Sequence, residues 1–252
     1  MMRHELKYLI PLEALDSLRQ YVAWHTGRDL NARDDGRYTV RSVYFDTSRG
    51  AMYRAKKEGE RRRMKVRVRG YNTILPADTV TLELKRKESS TAWKRKARMP
   101  LGEAEDWLTG LRDLPETDDV DAANTFRYFV LRRSLKPAVL VAYEREPFVG
   151  LHDPTLRVTF DTGLRGRFTS RLSRLGAEAP VPVLSRHFIL EVKFDHHFPG
   201  WLRPELARLG AQRRALSKYV MTLDACARAT HGRRASFAGG RQLRPGLLQT
   251  SF

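Results

Sequence analysis

The sequence predicts an α+β fold: about eight mostly consecutive strands in an antiparallel sheet, with helices inserted between and after them. Three observations carry this. Five segments place charged residues at every second position with apolar residues between: Arg3-His4-Glu5-Leu6-Lys7, Lys65-Val66-Arg67-Val68-Arg69, Glu83-Leu84-Lys85-Arg86-Lys87, Arg157-Val158-Thr159-Phe160-Asp161 and Glu191-Val192-Lys193. A period of two sends alternate side chains to opposite faces of a sheet, so each segment has one apolar and one charged face. The strand-like segments come in runs, and helical spacing is confined to the stretches between and after them. Finally, 252 residues at 41% apolar content are enough for a core.

Residues 3–10 read as the first strand. Pro11 opens a helix to about residue 24, with Leu12, Leu15, Leu18 and Val22 at helical spacing. Residues 28–37 are polar and loop-like. Residues 38–45 form a strand ended by Asp46-Thr47-Ser48, a capping sequence for a short helix over 49–57. Strands follow at 64–71 and 79–87, and 91–99 pairs with the latter as a hairpin across Glu88-Ser89-Ser90. Amphipathic helices are expected at 103–111 and 122–135, separated by an acidic linker at 116–121. Strands resume at 138–148, 156–161 and 186–194. Residues 165–173 read as an irregular basic segment and 177–182 as a linker. Helices at 201–209 and 217–229 close the fold. From His231 a Gly- and Arg-rich tail is expected to be mobile, which divides the chain into a folded domain, 1–230, and a tail, 231–252.

An antiparallel eight-stranded barrel with helices packed outside is the economical arrangement. An open sheet with a solvated polar face is the alternative, and alternation alone does not choose between them. One bias favours a lined channel: Lys65, Arg67 and Arg69 put one sign of charge on one strand face, whereas a solvated face normally intersperses signs.

The formal net charge is +18. The 27 residues from Cys226 onward hold five arginines and no acid, which leaves +13 on the rest. An anionic partner follows: nucleic acid, a membrane surface or a phosphate-rich ligand. The single cysteine excludes an internal disulfide and fits a reducing compartment. No apolar leader region opens the sequence, no run of about 18 apolar residues exists, and no Gly-x-x-x-x-Gly-Lys-Ser/Thr motif is present. A soluble cytoplasmic protein is expected, with the inner face of the membrane as an alternative location. His196 and His197 point to opposite faces if extended and lack a third ligand, so an exposed turn before Pro199-Gly200 is the better reading. Cys226 is expected to pack on a helix face.

An ordered set of segments resembles the VTC domain, the polyphosphate polymerase domain of the vacuolar transporter chaperone type. That family lies within the triphosphate tunnel metalloenzymes, beside the CYTH proteins. The matching segments are Arg3-His4-Glu5-Leu6-Lys7-Tyr8, Ser42-Val43-Tyr44-Phe45-Asp46-Thr47, Lys65-Val66-Arg67-Val68-Arg69, Glu83-Leu84-Lys85, Tyr143-Glu144-Arg145, Leu156-Arg157-Val158-Thr159-Phe160-Asp161, Ile189-Leu190-Glu191-Val192-Lys193 and Ser217-Lys218-Tyr219. Each is weak alone; the order and the Ser-x-Tyr-Phe-Asp and Ser-Lys-Tyr elements make the set specific.

The resemblance implies a tunnel of antiparallel strands that grips triphosphate or polyphosphate through Lys and Arg. It implies transfer of the ATP γ-phosphate to a growing polyphosphate chain. Lys65, Arg67, Arg69 and Lys218 match the positions expected to serve the reacting phosphates. Lys7, Lys85, Tyr143, Arg145, Arg157 and Lys193 match phosphate-gripping positions. Glu191 matches the metal ligand for Mn²⁺ or Mg²⁺, with Glu83 a weaker second. Phosphoryl transfer needs positioning and charge neutralisation, which suits these residue types. Arg3 stands where CYTH relatives carry the first acid of Glu-x-Glu-x-Lys, which favours the polymerase branch over a metal-dependent triphosphatase; a non-catalytic polyphosphate-binding module is the third reading. Tyr44, Phe45 and Asp46 are expected to be structural. ATP and polyphosphate are the implied partners, with a membrane-associated partner left open. Val and Leu, rather than stacking aromatics, alternate with the lysines and arginines, so no specific nucleic acid is expected.

Overall fold

A computed structural model describes residues 3–29, 36–89 and 91–238, with the side chains of 232–238 left aside. The alternating segments form β1 (His4–Pro11), β4 (Arg62–Tyr71), β5 (Thr79–Glu88), β8 (Arg157–Phe168) and β10 (His187–Phe194). With β3 (Tyr38–Asp46), β6 (Thr91–Pro100) and β7 (Lys136–Gly150) they make one antiparallel sheet in the order β1-β10-β8-β7-β3-β4-β5-β6. Two short strands, β2 (Thr26–Arg28) on β7 and β9 (Val181–Pro182) on β8, lie off this path, in stretches expected to be loop and linker.

Directly opposed residues of an antiparallel pair share a face. The register therefore carries one continuous charged face across the sheet. Lys7 opposes Glu191, Arg145 opposes Asp161, Tyr44 opposes Arg67, and Lys65, Lys85 and Lys94 stand in a row across β4, β5 and β6. Opposite faces carry the apolar residues, which helices cover. On one half, Val43, Val66, Val68, Leu82 and Leu84 pack under α3 (Leu101–Thr109), through Trp107, and α4 (Val120–Arg132), through Phe126. On the other, Ile10, Val158, Phe160, Leu190 and Val192 pack with Leu18 and Val22 of α1 (Leu15–His25) and Leu202 and Leu206 of α5 (Leu202–Arg208). The helices sit outside and the charges line the concave side.

The expected closed barrel needs one correction. The sheet is open by hydrogen bonding: β1 and β6 are its edges. The outer edge of β1 is taken by the segment before the last helix, where Arg213 bridges to Tyr8 and the Arg214 N–H donates to the Lys7 carbonyl at 2.8 Å. That contact occupies part of the edge that β6 would pair in a closed barrel. The sheet still curls far enough for β1, β4, β5, β6, β7 and β10 to line a common cavity.

β8 runs on to Phe168 instead of stopping at 161. A bulge beside Tyr143 absorbs one extra residue, and Gly163, at φ 59°, takes the left-handed conformation that such an insertion needs. Before α2 (Ala51–Lys57), whose N-cap position is Gly50, the Asp46 carboxylate reaches the helix start from four residues upstream, accepting from the N–H groups of Thr47, Met52 and Tyr53 at 2.7, 2.8 and 3.0 Å. The last helix, α6 (Lys218–Ala238), extends beyond the expected end at 229, and the remaining tail residues, 239–252, lie outside the described residues. Among the described residues no helix is long and apolar enough to cross a membrane.

Candidate functional site

The concave face encloses a cavity of about 440 Å³ lined by ten cationic side chains and three carboxylates, with no aliphatic side chain among them. Two ion-pair clusters organise it. In the first, the Arg145 guanidinium meets Asp161 through two bonds of 2.6 and 2.7 Å and reaches Glu191 at 3.2 Å. Lys218, at the start of α6, places its Nζ 2.5 Å from Asp161 and 2.7 Å from Glu191. Lys7 and Lys193 approach Glu191 at 3.1 and 3.7 Å. Burial alone would push the Glu191 carboxyl up; Lys218, Lys7, Arg145 and Lys193 outweigh it and hold the group well below the usual carboxylate range. Asp161 is held down the same way, against burial, by Arg145 and Lys218.

The second cluster lies across the sheet. Arg67 donates to one oxygen of Glu83 at 2.9 and 2.5 Å and to the Tyr44 hydroxyl at 2.8 Å. Burial raises the Glu83 carboxyl, but Arg67, Arg69 and Lys94 bring it down to about 2. The buried Tyr44 ring stacks on Tyr219 at 5.0 Å, and Tyr219 donates to Asp46. Against its burial, Arg67, Lys65 and Arg69 bring the Tyr44 phenol down to about 7.

Between these clusters stand cations with no carboxylate partner. Lys65, Lys85 and Lys94 form no ion pair among the described residues (the inter-strand row above is entirely cationic). Burial is the main influence on Lys65, and repulsion from Arg67 and Lys7 adds to it, so its ammonium falls to about 8. Lys94 falls to about 8 for the same reasons, with Lys96 and Arg67 as the repelling neighbours. Like charges in a row, of which Lys65 is half-buried while Lys85 and Lys94 are exposed, repel by themselves and become favourable when an anion lies among them.

The cavity collects Lys7, Lys65, Arg67, Arg69, Glu83, Lys85, Tyr143, Arg145, Glu191, Lys193 and Lys218. Arg157 is the exception: it faces the same side of β8 as Asp161 but lies farther along the strand, where it pairs with Asp29 instead of lining the cavity. Tyr143 contributes its ring face, with Lys218 Nζ 4.7 Å and the Arg145 guanidinium 5.4 Å from its centre. Ser217 Oγ lies 3.5 Å from the Val220 N–H, as an N-cap would. His196 and His197 are exposed, and Cys226 is buried. Sequence reasoning missed Asp161, Tyr44 and Lys94 as site residues. Asp161 ends an alternating segment, which was a signal; Lys94 sits in the unbroken cationic run Lys94-Arg95-Lys96 of an expected strand, where parity did not single it out.

Among the described residues no three His, Cys, Asp or Glu side chains cluster as a metal site would require. The oxygens of Glu191 and Glu83 are already engaged by cations. Glu5, opposite Lys193 on the strand next to Glu191, has its one ion pair among the described residues with Lys7, at 3.3 Å. Glu191 and Glu83 are therefore not open donors, and a divalent ion at this site would take most of its shell from phosphate oxygens, with Glu5 as the available carboxylate.

A family model described as the VTC domain matches residues 2–226. No curated protein sequence matches the chain. Among solved structures, a candidate adenylate cyclase from Bacillus halodurans aligns with 14% identity over 86% of this chain and 96% of its own, at a TM-score of 0.52. Protein PH1819 of Pyrococcus horikoshii aligns with 14% identity over 88% and 99%, at 0.43. A second candidate adenylate cyclase, from Vibrio parahaemolyticus, aligns with 10% identity over 88% and 97%, also at 0.43. The first of these carries the likeness of fold.

Proposed function

The chain belongs to the VTC domain family, and from that premise we propose that it is an ATP-dependent polyphosphate polymerase whose curled sheet holds the nucleotide triphosphate and the growing chain in line. The row of unpartnered cations, Lys65, Lys85 and Lys94, supports this reading most directly, because a linear polyanion supplies what the protein leaves uncompensated. Arg67 and Arg69, oriented by Glu83 and Ser42, offer planar forks to phosphate oxygens. Lys218 and Arg145, fixed by Asp161 and Glu191, supply charge that needs no reorganisation when phosphate arrives. In the reaction the bond from the γ-phosphorus to the β,γ-bridging oxygen breaks, a bond to the terminal chain oxygen forms, and ADP leaves. The side chains neutralise and align the reacting phosphates; no protein nucleophile is required. Glu5 is the cavity carboxylate that would meet a phosphate-borne Mg²⁺ or Mn²⁺, which would supply further neutralisation of phosphate charge, while Glu191 is engaged by Lys7, Arg145, Lys193 and Lys218.

The test is purified protein with ATP and either metal, resolving long-chain polyphosphate from orthophosphate on a gel. Long chains support the reading. Orthophosphate alone makes the protein a triphosphatase, and tight polyphosphate binding without turnover leaves a binding module.

A pH dependence follows from the lowered lysines. Bound phosphate stabilises their charged forms, so binding takes up protons wherever Lys65 and Lys94 are neutral in the free protein. Tripolyphosphate affinity is expected to fall as pH rises above about 8. Titration calorimetry from pH 7 to 9.5 checks this; a flat profile refutes it.

A further inference from the structure

The outer side of the molecule, away from the cavity, has its own unpartnered groups. α4 buries Ala122, Ala123, Phe126 and Val130 against the sheet. A surface helix normally turns polar residues to its other side. Here that side exposes Val120, Tyr128 and Leu131, at 55%, 57% and 60%. Positions 120, 124, 128 and 131 fall on one stripe of a helix. Beside the stripe, the exposed Trp93 of β6 lies 6.3 Å from the Phe129 ring, which lies 5.3 Å from Tyr128. Trp93, Tyr128, Phe129 and Leu131 thus make one apolar patch at the C-terminal half of α4.

Charge is polarised along the same helix. Asp118, Asp119 and Asp121 stand at its N-terminal end, and each is engaged. Asp118 and Asp121 pair with Arg98 and Arg95, and Asp119 caps the helix through the Ala122 N–H. From Ala122 to Tyr143 the sequence has no acid. The C-terminal end carries Arg132, Arg133 and Lys136, all exposed and without an ion pair among the described residues.

Protruding apolar side chains beside uncompensated cations complement an anionic layer over an apolar interior. Trp and Tyr settle at the headgroup level, aliphatic side chains reach past it, and Arg and Lys meet lipid phosphates. We propose that the C-terminal half of α4, together with Trp93, docks the protein on the surface of an anionic phospholipid bilayer. A second copy of this chain is a poorer occupant. Across a two-fold axis Arg132, Arg133 and Lys136 would meet one another with no acid to receive them. Single-stranded RNA stacks on aromatic side chains, whereas Leu131, the most exposed residue of this patch, has no ring. Because α4 covers the sheet face opposite the cavity, docking leaves the cavity open.

The test is flotation of the whole chain with phosphatidylcholine vesicles, with and without about 30% phosphatidylglycerol, in excess tripolyphosphate to fill the cavity. Binding is expected only with the anionic lipid. Arg132→Gln with Arg133→Gln is expected to weaken it about 30-fold, roughly fivefold for each cation removed from a charged surface. Tyr128→Ser with Leu131→Ser is expected to weaken it at least about tenfold. Both double variants should bind tripolyphosphate as the wild type does, since they alter only exposed side chains on the far face. Brominated lipids are expected to quench wild-type tryptophan fluorescence, and Trp93→Phe to abolish that quenching. Absence of wild-type binding, or binding indifferent to both double variants, would overturn the proposal. So would quenching that survives Trp93→Phe, which would place the contact at another tryptophan. Vesicle binding seen only without tripolyphosphate would mean that lipid phosphates enter the cavity, and a dimer broken by Leu131→Ser without vesicle binding would assign the patch to a second copy; either refutes it.

Discussion

Replacing Arg145 with alanine is expected to cost about 3–5 kcal/mol of folding stability, because it strips a buried carboxylate of its main partner. The Asp161 side chain has no solvent exposure, and two of its contacts are the Arg145 bonds of 2.6 and 2.7 Å. Lys218 remains beside it but is shared with Glu191. In a chain of this size the loss corresponds to a melting temperature lower by roughly 6–20 °C. The double variant Arg145→Met, Asp161→Leu removes both charges and is expected to recover much of the loss. Thermal melts of the wild type and both variants check this. A single variant that melts with the wild type would mean that the Arg145 pair does not hold the strands together, and its role would then be confined to the ligand.

Lys65→Met is expected to act in the opposite direction on stability and strongly on binding. Lys65 forms no ion pair among the described residues; burial and the cations Arg67 and Lys7 disfavour its charge more than Tyr44 and Glu5 support it. Methionine fills similar space without the charge, so the variant should melt at or above the wild-type temperature. Losing one charge-assisted bond to phosphate costs about 1.5–3 kcal/mol, which is a roughly 10- to 150-fold weaker complex with tripolyphosphate. Calorimetry and a melt on the same sample read both effects. Tripolyphosphate binding unchanged by Lys65→Met would refute a phosphate grip at this position, whereas a joint loss of stability and binding would show that Lys65 supports the fold.

These two residues mark what was and was not legible in the sequence. The alternation around Lys65 and Glu191 predicted one charged sheet face, and the roles of Tyr143, Arg145 and Lys218 came from the family resemblance; the structure gathers all the expected site residues except Arg157 around one cavity. The sequence did not distinguish Arg145, which is spent on Asp161, from Lys65, which has no ion pair among the described residues and lies 5.8 Å from the centre of the Tyr44 ring. Glu191 was expected to be free for a metal, yet cations from β1, β7, β10 and α6 converge on it. Tyr44 was expected to be structural, and its stacking on Tyr219 fits that; its hydroxyl on Arg67 and its place in the cavity depend on the pairing of β3 with β4 and the docking of α6. Arg157 had the right parity but the wrong depth along β8, which no period of two encodes.

The sequence by itself determined the composition of the two faces, the helices that cover the apolar one, and the family to which the chain belongs. A strand's side-chain period is local, fixed by backbone geometry within each segment. Tertiary structure decided which charges are compensated, how far the sheet curls, and that β1 gives its edge to residues 213–214 rather than to β6. Those depend on register, on the bulge at Gly163, and on through-space attraction between residues far apart in the chain, such as Asp46 and Tyr219, 173 positions apart. Electrostatic energy depends on distance and burial, which exist only once the chain has folded.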